Sequence, residues 1–329
     1  MPMDKIASAS DSERKKLFID AADKANIADF IVEKDFWVSW VLGKIFADKY
    51  LSEVLCFKGG TSLSKAFGLI DRFSEDIDLI LSQHAILKTG ETLEQSSNSK
   101  QAEFNKEVES RAGYFISTVL KDKIAKVLKE ICEVETDVKD DHVLFVKFPR
   151  VFDYNYIQSD IKLEIGPLAL WNPNEKYPIS SFIAVSLPEL ELANPIIPTI
   201  KPERTFWEKI TILHHEHYRP ETSPLTPRYS RHYYDVFKMG NSKIKEEALT
   251  NLKLLEEVVA FKKRFYPRGW AKYDEAVLGT IRLYPAKQNL KDLEQDYIKM
   301  QKMIFGASPK WEEILGYLKE LQAEINKKN

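Results

Sequence analysis

Val54-Leu55-Cys56-Phe57-Lys58-Gly59-Gly60-Thr61-Ser62-Leu63-Ser64-Lys65, followed downstream by Glu75-Asp76-Ile77-Asp78-Leu79-Ile80-Leu81, is the stretch whose reading decides the fold. The first run is apolar until two glycines stop it, which predicts a strand over 54–57, a tight turn, and a short helix at about 62–68. In the second, Ile77, Leu79 and Leu81 alternate with Asp76, Asp78 and Ile80, the period of a strand. Glycines between a strand and a helix let the backbone approach a ligand closely, and a helix start offers free N–H groups to an anion. Taken alone, such a turn followed by Thr61 and Ser62 is also an ordinary helix cap. It fits neither GxxxxGK[ST] nor GxGxxG, which weighs against a nucleoside triphosphatase loop and a dinucleotide-binding turn.

Strand alternation puts Asp76 and Asp78 on one face, with Ile77 and Leu79 turned to the core. Two adjacent carboxylates repel, and one pKa rises unless a cation lies between them, so the pair suggests Mg²⁺ or Mn²⁺. An exposed strand face carrying two solvated aspartates is the competing reading. Ile161-Lys162-Leu163-Glu164-Ile165 is another alternating segment, with Lys162 and Glu164 on a common face. If that strand adjoins the first, Glu164 completes a three-carboxylate cradle for two cations. Nucleotidyl and phosphoryl transfer require such a cradle, because the cations activate an attacking hydroxyl and neutralise charge on the phosphates.

Around this centre, residues 11–50 read as helical, since Phe30, Ile31, Phe36, Trp37, Trp40, Val41 and Ile45 recur at spacings of three and four. Residues 82–100 are polar and predict a loop, and 101–132 resume a helical pattern. Residues 143–151, 161–165 and 182–187 are strand-like. Pro195 and Pro198 mark a junction, after which helices are expected at about 203–218, 231–239, 244–265, 271–282, 289–304 and 309–326. The chain is thus expected to be α+β: residues 1–200 a domain with a mixed sheet and a helical N-terminal segment, residues 201–329 an all-α domain.

The 329 residues, 44% hydrophobic and 30% charged, suit a folded chain of two domains. No stretch approaches the ~18 apolar residues of a membrane span, and no secretory leader is visible, so a cytoplasmic protein is expected. Cys56 and Cys132 form no CxxC pair and read as reduced core thiols. Residues 1–200 carry 24 basic against 32 acidic side chains, and residues 201–329 carry 24 against 18. A carboxylate metal site in one half and a phosphate-attracting surface in the other fit this asymmetry, as does uneven placement of solvated charge.

The order strand, glycine turn, helix, Asp-x-Asp strand resembles the polymerase β nucleotidyltransferase superfamily. The fit is closer to its AbiEii/AbiGii-type toxin nucleotidyltransferases, the branch that includes the MenT toxins. The likeness rests on Glu33-Lys34-Asp35-Phe36-Trp37, Lys58-Gly59-Gly60-Thr61-Ser62-Leu63 and Arg72-Phe73-Ser74-Glu75-Asp76-Ile77-Asp78-Leu79, then on Arg204-Thr205-Phe206-Trp207-Glu208-Lys209 and Ser230-Arg231-His232-Tyr233-Tyr234-Asp235. It covers roughly residues 30 to 240. The resemblance implies a polymerase β-like fold and a triphosphate held by Gly59, Gly60, Thr61 and Ser62, with Lys65 as a further cation. It also implies metal at Asp76, Asp78 and Glu164, and a pocket completed by Lys209 and Asp235. An NTP substrate, an RNA acceptor such as the tRNA acceptor end, and a cognate antitoxin of a type IV toxin–antitoxin or abortive-infection system follow from it.

Several features admit a different reading. Lys262, Lys263, Arg264 and Arg268 flank Phe265, Tyr266 and Trp270, compatible with an RNA backbone beside stacking surfaces or with a solvated helix end. His214 and His217, one helical turn apart, suggest a zinc site that lacks a further ligand at suitable spacing. The same carboxylate chemistry would also serve transfer to a protein or small molecule, and the same fold could sense a nucleotide without turnover.

Overall fold

The computed structural model describes residues 3–128, 131–153 and 158–327. They form two compact units, Met1–Phe67 with Phe73–Ile200, and Gly68–Arg72 with Lys201–Asn329.

The first unit carries seven strands: β1 (Leu55–Lys58), β2 (Ile77–Leu81), β3 (Glu133–Thr136), β4 (Val143–Lys147), β5 (Ile161–Gly166), β6 (Asn174–Pro178) and β7 (Ile196–Ile200). They make one mixed sheet in the order β3-β4-β5-β2-β1-β7-β6. β2 lies at its middle, antiparallel to β1 and parallel to β5. Its Ile77, Leu79, Ile80 and Leu81 are buried, which locks the register, because a slip by one residue would turn the aspartates into the core.

The helices of this unit are α1 (Met3–Ala7), α2 (Asp11–Ala25), α3 (Asp29–Ala47), α4 (Lys49–Val54), α5 (Gly59–Lys65), α6 (Asn98–Phe115), α7 (Lys121–Leu128) and α8 (Phe182–Ser186). α3 is buried along most of its length, its Trp37 stacked on Phe148 of the segment after β4 with ring centroids 5.5 Å apart. The expected helical stretch 11–50 is divided at Asn26, which takes a left-handed conformation and caps α2. The expected helix 101–132 is α6, a π-helical turn over Ile116–Leu120, and α7.

The strand expected at 182–187 is instead α8. Ser181 caps it by accepting the Ala184 N–H at 3.2 Å, and Pro188 follows Leu187 and cannot continue it. The apolar run Phe182-Ile183-Ala184-Val185 is too short for periodicity to tell the two states apart. Strands β3, β6 and β7 lie in segments whose pattern does not predict them. β7 contains Pro198, expected at a junction; the proline gives no N–H to the ladder, while its carbonyl accepts the Cys56 thiol at 3.5 Å. Cys56 and Cys132 are buried free thiols, each pushed up to about 12 by burial.

The second unit contains α9 (Pro202–His217), α10 (Ser230–Gly240), α11 (Lys243–Thr250), α12 (Leu252–Phe265), α13 (Leu290–Met300) and α14 (Trp311–Asn326). The expected helix 244–265 is interrupted at Asn251. The helix expected at 271–282 is only a 3₁₀ turn over Tyr273–Glu275 within loops, where Gly279 has a φ of +88°. Segment 68–72, which lies in sequence between α5 and β2, is held in this unit. Arg72 bridges Ile304, the Phe305 N–H donates to the Asp71 carbonyl at 2.6 Å, and Lys238 pairs with Asp71 at 2.6 Å. Among the described residues, no helix is long and apolar enough to cross a membrane.

Candidate active site

The chain leaves β1 at Lys58, turns at Gly59 with a φ of +82°, and enters α5 at once. That φ is open to glycine and strained for most other residues. Space is equally restrictive: a Cβ on Gly59 would lie 1.9 Å from Oδ2 of Asp78. The carboxylate therefore occupies the volume that a side chain on the turn would fill.

Asp78 stands in β2 opposite Lys58 of β1 on one side and Glu164 of β5 on the other. The Asp78–Glu164 register brings the second and third expected carboxylates onto adjoining parallel strands. Lys162, two residues before Glu164 on β5, forms an ion pair with it. Against the cost of burial, Glu164 and the charges of Asp76 and Asp140 hold the Lys162 pKa above its ordinary value. Asp76 precedes the β2 ladder, and its carbonyl, with that of Ser74, accepts the Thr61 hydroxyl. The register brings Asp78 and Glu164 side by side, while among the described residues Asp76, Asp78 and Glu164 do not place three ligand atoms within 4.8 Å of one another; carboxylate oxygens are the donors that suit a hard divalent cation.

Thr61 and Ser62 are 1% and 0% exposed, and both hydroxyls are engaged by backbone, Ser62 donating to the Gly59 carbonyl at 2.8 Å. The side chains thus brace the turn, leaving backbone N–H groups as its means of meeting an anion. The expected role of Lys65 changes. Its ammonium is buried, paired with Asp35 of α3 and donating to the Ser39 hydroxyl at 2.8 Å and the Ser180 carbonyl at 3.4 Å. Three protons meet three acceptors, so Lys65 anchors α5 rather than serving as a second phosphate cation.

Another buried pair lies beside Asp76: Lys34 of α3 is 3.2 Å from Glu75. Pattern alone gives Lys34 and Glu75 no role, although the unbroken run Glu33-Lys34-Asp35 within a buried helix is the available signal. A short exposed turn, Asp140-Asp141-His142, precedes β4, and its possible metal-ligand atoms lie within 4.8 Å of one another. It adjoins β5, since the Ile165 N–H donates to the His142 carbonyl at 3.0 Å.

Within the second unit, Asp235 of α10 is fully buried. Arg72 clamps it through Nε to Oδ1 at 2.7 Å and Nη2 to Oδ2 at 2.8 Å, and Lys209 of α9 lies 2.7 Å from Oδ2. Burial alone would raise the Asp235 carboxyl, but Arg72 and Lys209 outweigh it and hold the pKa well below the usual carboxylate range. Burial lowers Lys209, with Arg72 adding to the effect and Asp235 opposing it. Asp235 is therefore a charge partner that orients Lys209. Arg72 opens one of the motifs that carry the resemblance, but its pairing with Asp235 is not legible in the sequence, because the partner lies 163 positions away.

The zinc reading is not supported. His214 Nε2 is 3.0 Å from the Lys272 carbonyl and its Nδ1 accepts the Arg282 N–H at 3.2 Å, while His217 Nδ1 is 2.8 Å from the Tyr284 carbonyl. Burial depresses His214 to about 4. These rings hold the 272–284 loop. At the end of α12, Lys262 donates to the Glu208 carbonyl at 3.0 Å, Lys263 pairs with Asp274, and Arg268 lies 5.7 Å from the Trp270 ring centroid.

A family model described as nucleotidyl transferase AbiEii toxin, type IV toxin–antitoxin system, matches residues 40–317. No curated protein matches the sequence. Among solved structures, the chain is similar to MenT4, a nucleotidyltransferase toxin from Mycobacterium tuberculosis H37Rv, with 14% identity and a TM-score of 0.51, over 98% of this chain and 91% of that one. At that identity the likeness is one of fold.

Proposed function

The chain belongs to the AbiEii nucleotidyl transferase toxin family, and on that footing we propose that it moves a nucleotide from an NTP to an RNA acceptor, the tRNA acceptor end, using Mg²⁺ or Mn²⁺. The observation that carries this reading is the Asp78–Glu164 register, with the Gly59 turn packed directly on Asp78. Asp76, Asp78 and Glu164 would hold the cation, which would neutralise phosphate charge and lower the pKa of the attacking hydroxyl. The backbone of Gly59, Gly60, Thr61 and Ser62 is the proposed seat of the triphosphate, and Lys209, oriented by Asp235, is the cation proposed to support NTP use. The acceptor hydroxyl forms a bond to the α-phosphorus, the bond to pyrophosphate breaks, and the hydroxyl proton leaves to solvent.

The exposed Arg268 and Tyr266 fit an RNA backbone beside a stacked base, whereas Phe265 of the same cluster is buried. A cognate antitoxin is the expected protein partner and the cytoplasm the expected compartment.

Incubation with each labelled NTP, Mg²⁺ and total cellular RNA, with Asp78→Ala as control, tests the proposal. Label on RNA that the control lacks supports it. Label only on protein changes the acceptor, and saturable NTP binding with no transfer makes the chain a nucleotide sensor.

A further inference from the structure

Glu33, Lys34 and Asp35 are consecutive charged residues on α3, and they are 0%, 0% and 3% exposed. Successive side chains on a helix diverge by about 100°, so the three reach different segments. Burying a charge costs several kcal/mol unless it is paired and hydrogen-bonded. Each of them is. Glu33 accepts the Val151 N–H at 2.8 Å. Asp35 pairs with Lys65 and accepts the Phe182 N–H at 2.7 Å. Lys34 is 3.2 Å from Glu75 Oε2 and donates to the Gln158 carbonyl, and the Gln158 N–H donates back to the same Glu75 oxygen at 3.0 Å.

The closed triangle of Lys34, Glu75 and Gln158 sits one residue from Asp76. Asp78 is held by ladders on both sides, whereas Asp76 precedes the first ladder residue, Ile77. The Asp76 carbonyl accepts the Thr61 hydroxyl, and the side chain of the preceding residue, Glu75, is anchored by Lys34.

We infer that Lys34 is a positioning residue for Asp76, holding it beside Asp78 through Glu75 and the Gln158 backbone so that the two carboxylates bind a divalent cation together. This rests on the reading of Asp76 and Asp78 as cation ligands. Groups that orient metal ligands typically change metal affinity about 10- to 100-fold when removed. A lysine held only for burial has no such influence.

Removing Lys34 alone would add negative charge near the site and attract cations, opposing the loss of position. The decisive variant is Lys34→Met with Glu75→Gln, which leaves net charge unchanged and no buried charge unpaired. Mn²⁺ alone serves as the probe, its free concentration read by electron paramagnetic resonance without nucleotide. The double variant is expected to melt as a folded protein, to bind Mn²⁺ roughly tenfold more weakly, and to lose kcat with little change in the KM for NTP. Lys34→Arg, which keeps the charge and alters only reach and shape, is expected to shift Mn²⁺ affinity the same way. Wild-type Mn²⁺ affinity in either folded variant overturns the inference. Asp78→Ala separates the two levels: if it binds Mn²⁺ like the wild type, the cation reading of the aspartates fails, whereas lost binding there with full affinity in the Lys34 variants removes only the role of Lys34.

Discussion

Gly59 and Asp78 share a space that admits only one side chain, for a Cβ on the turn would stand 1.9 Å from the aspartate Oδ2. Turn and carboxylate are thereby packed directly on one another. Gly59→Ala meets both this overlap and a φ of +82°. It is expected to lower stability by about 1–3 kcal/mol and to suppress transfer. Denaturant unfolding and the labelling assay read the two effects. An alanine variant with wild-type stability and turnover would show that the turn relaxes freely.

Asp78→Ala removes charge from a crowded set of carboxylates and leaves the buried face of β2 intact. Transfer is expected to fall at least on the order of 10²–10³-fold, with an unchanged or higher melting temperature. Comparable turnover by this folded variant would falsify the assignment of Asp78.

Lys209→Ala deletes a cation and leaves Asp235 paired with Arg72. A lost charged hydrogen bond of about 2 kcal/mol corresponds to a ten- to hundredfold fall in kcat/KM for NTP. Unaltered kinetics would reduce Lys209 to a structural partner of Asp235.

Asp235→Asn leaves Arg72 and Lys209 buried without a counter-charge, so a loss of about 3–5 kcal/mol at neutral pH is expected. The folded carboxyl titrates below its ordinary value of 3.8. Its stabilisation is thus complete above 3.8 and declines as pH falls from there towards the folded value, where the unfolded chain binds more protons. Unfolding free energy measured between neutral and acid pH should show that decline in the wild type and a shallower one in the variant. Equal slopes in both proteins would remove the charged clamp.

Arg268→Ala on the proposed RNA surface should weaken binding across RNA sequences and reduce the slope of log affinity against log salt by about 1. A slope identical to that of the wild type would move the acceptor elsewhere.

Local pattern is enough for the strand at Leu55–Lys58, the Gly59 turn, the alternation around Asp76 and Asp78, and the α+β class. Each depends on neighbours in the chain: apolar period, and the backbone freedom of glycine. Strands β3, β6 and β7 carry weaker signals, because short segments and a proline within β7 resemble connections until a neighbouring strand satisfies them. The stretch 182–187 reads as a strand because its helical start depends on Ser181 and on Asp35, far off in sequence.

What the order of residues determined by itself was the inventory: which side chains are acidic, which turn must be glycine, and which faces are apolar. Tertiary structure decided the pairings. It set Glu164 beside Asp78, tied Lys65 to Asp35 and Lys34 to Glu75, and joined Arg72 to Asp235. The reason is the cost of burial: a charged group removed from water must find its counter-charge wherever the fold brings one within reach, and distance along the chain does not say where that is.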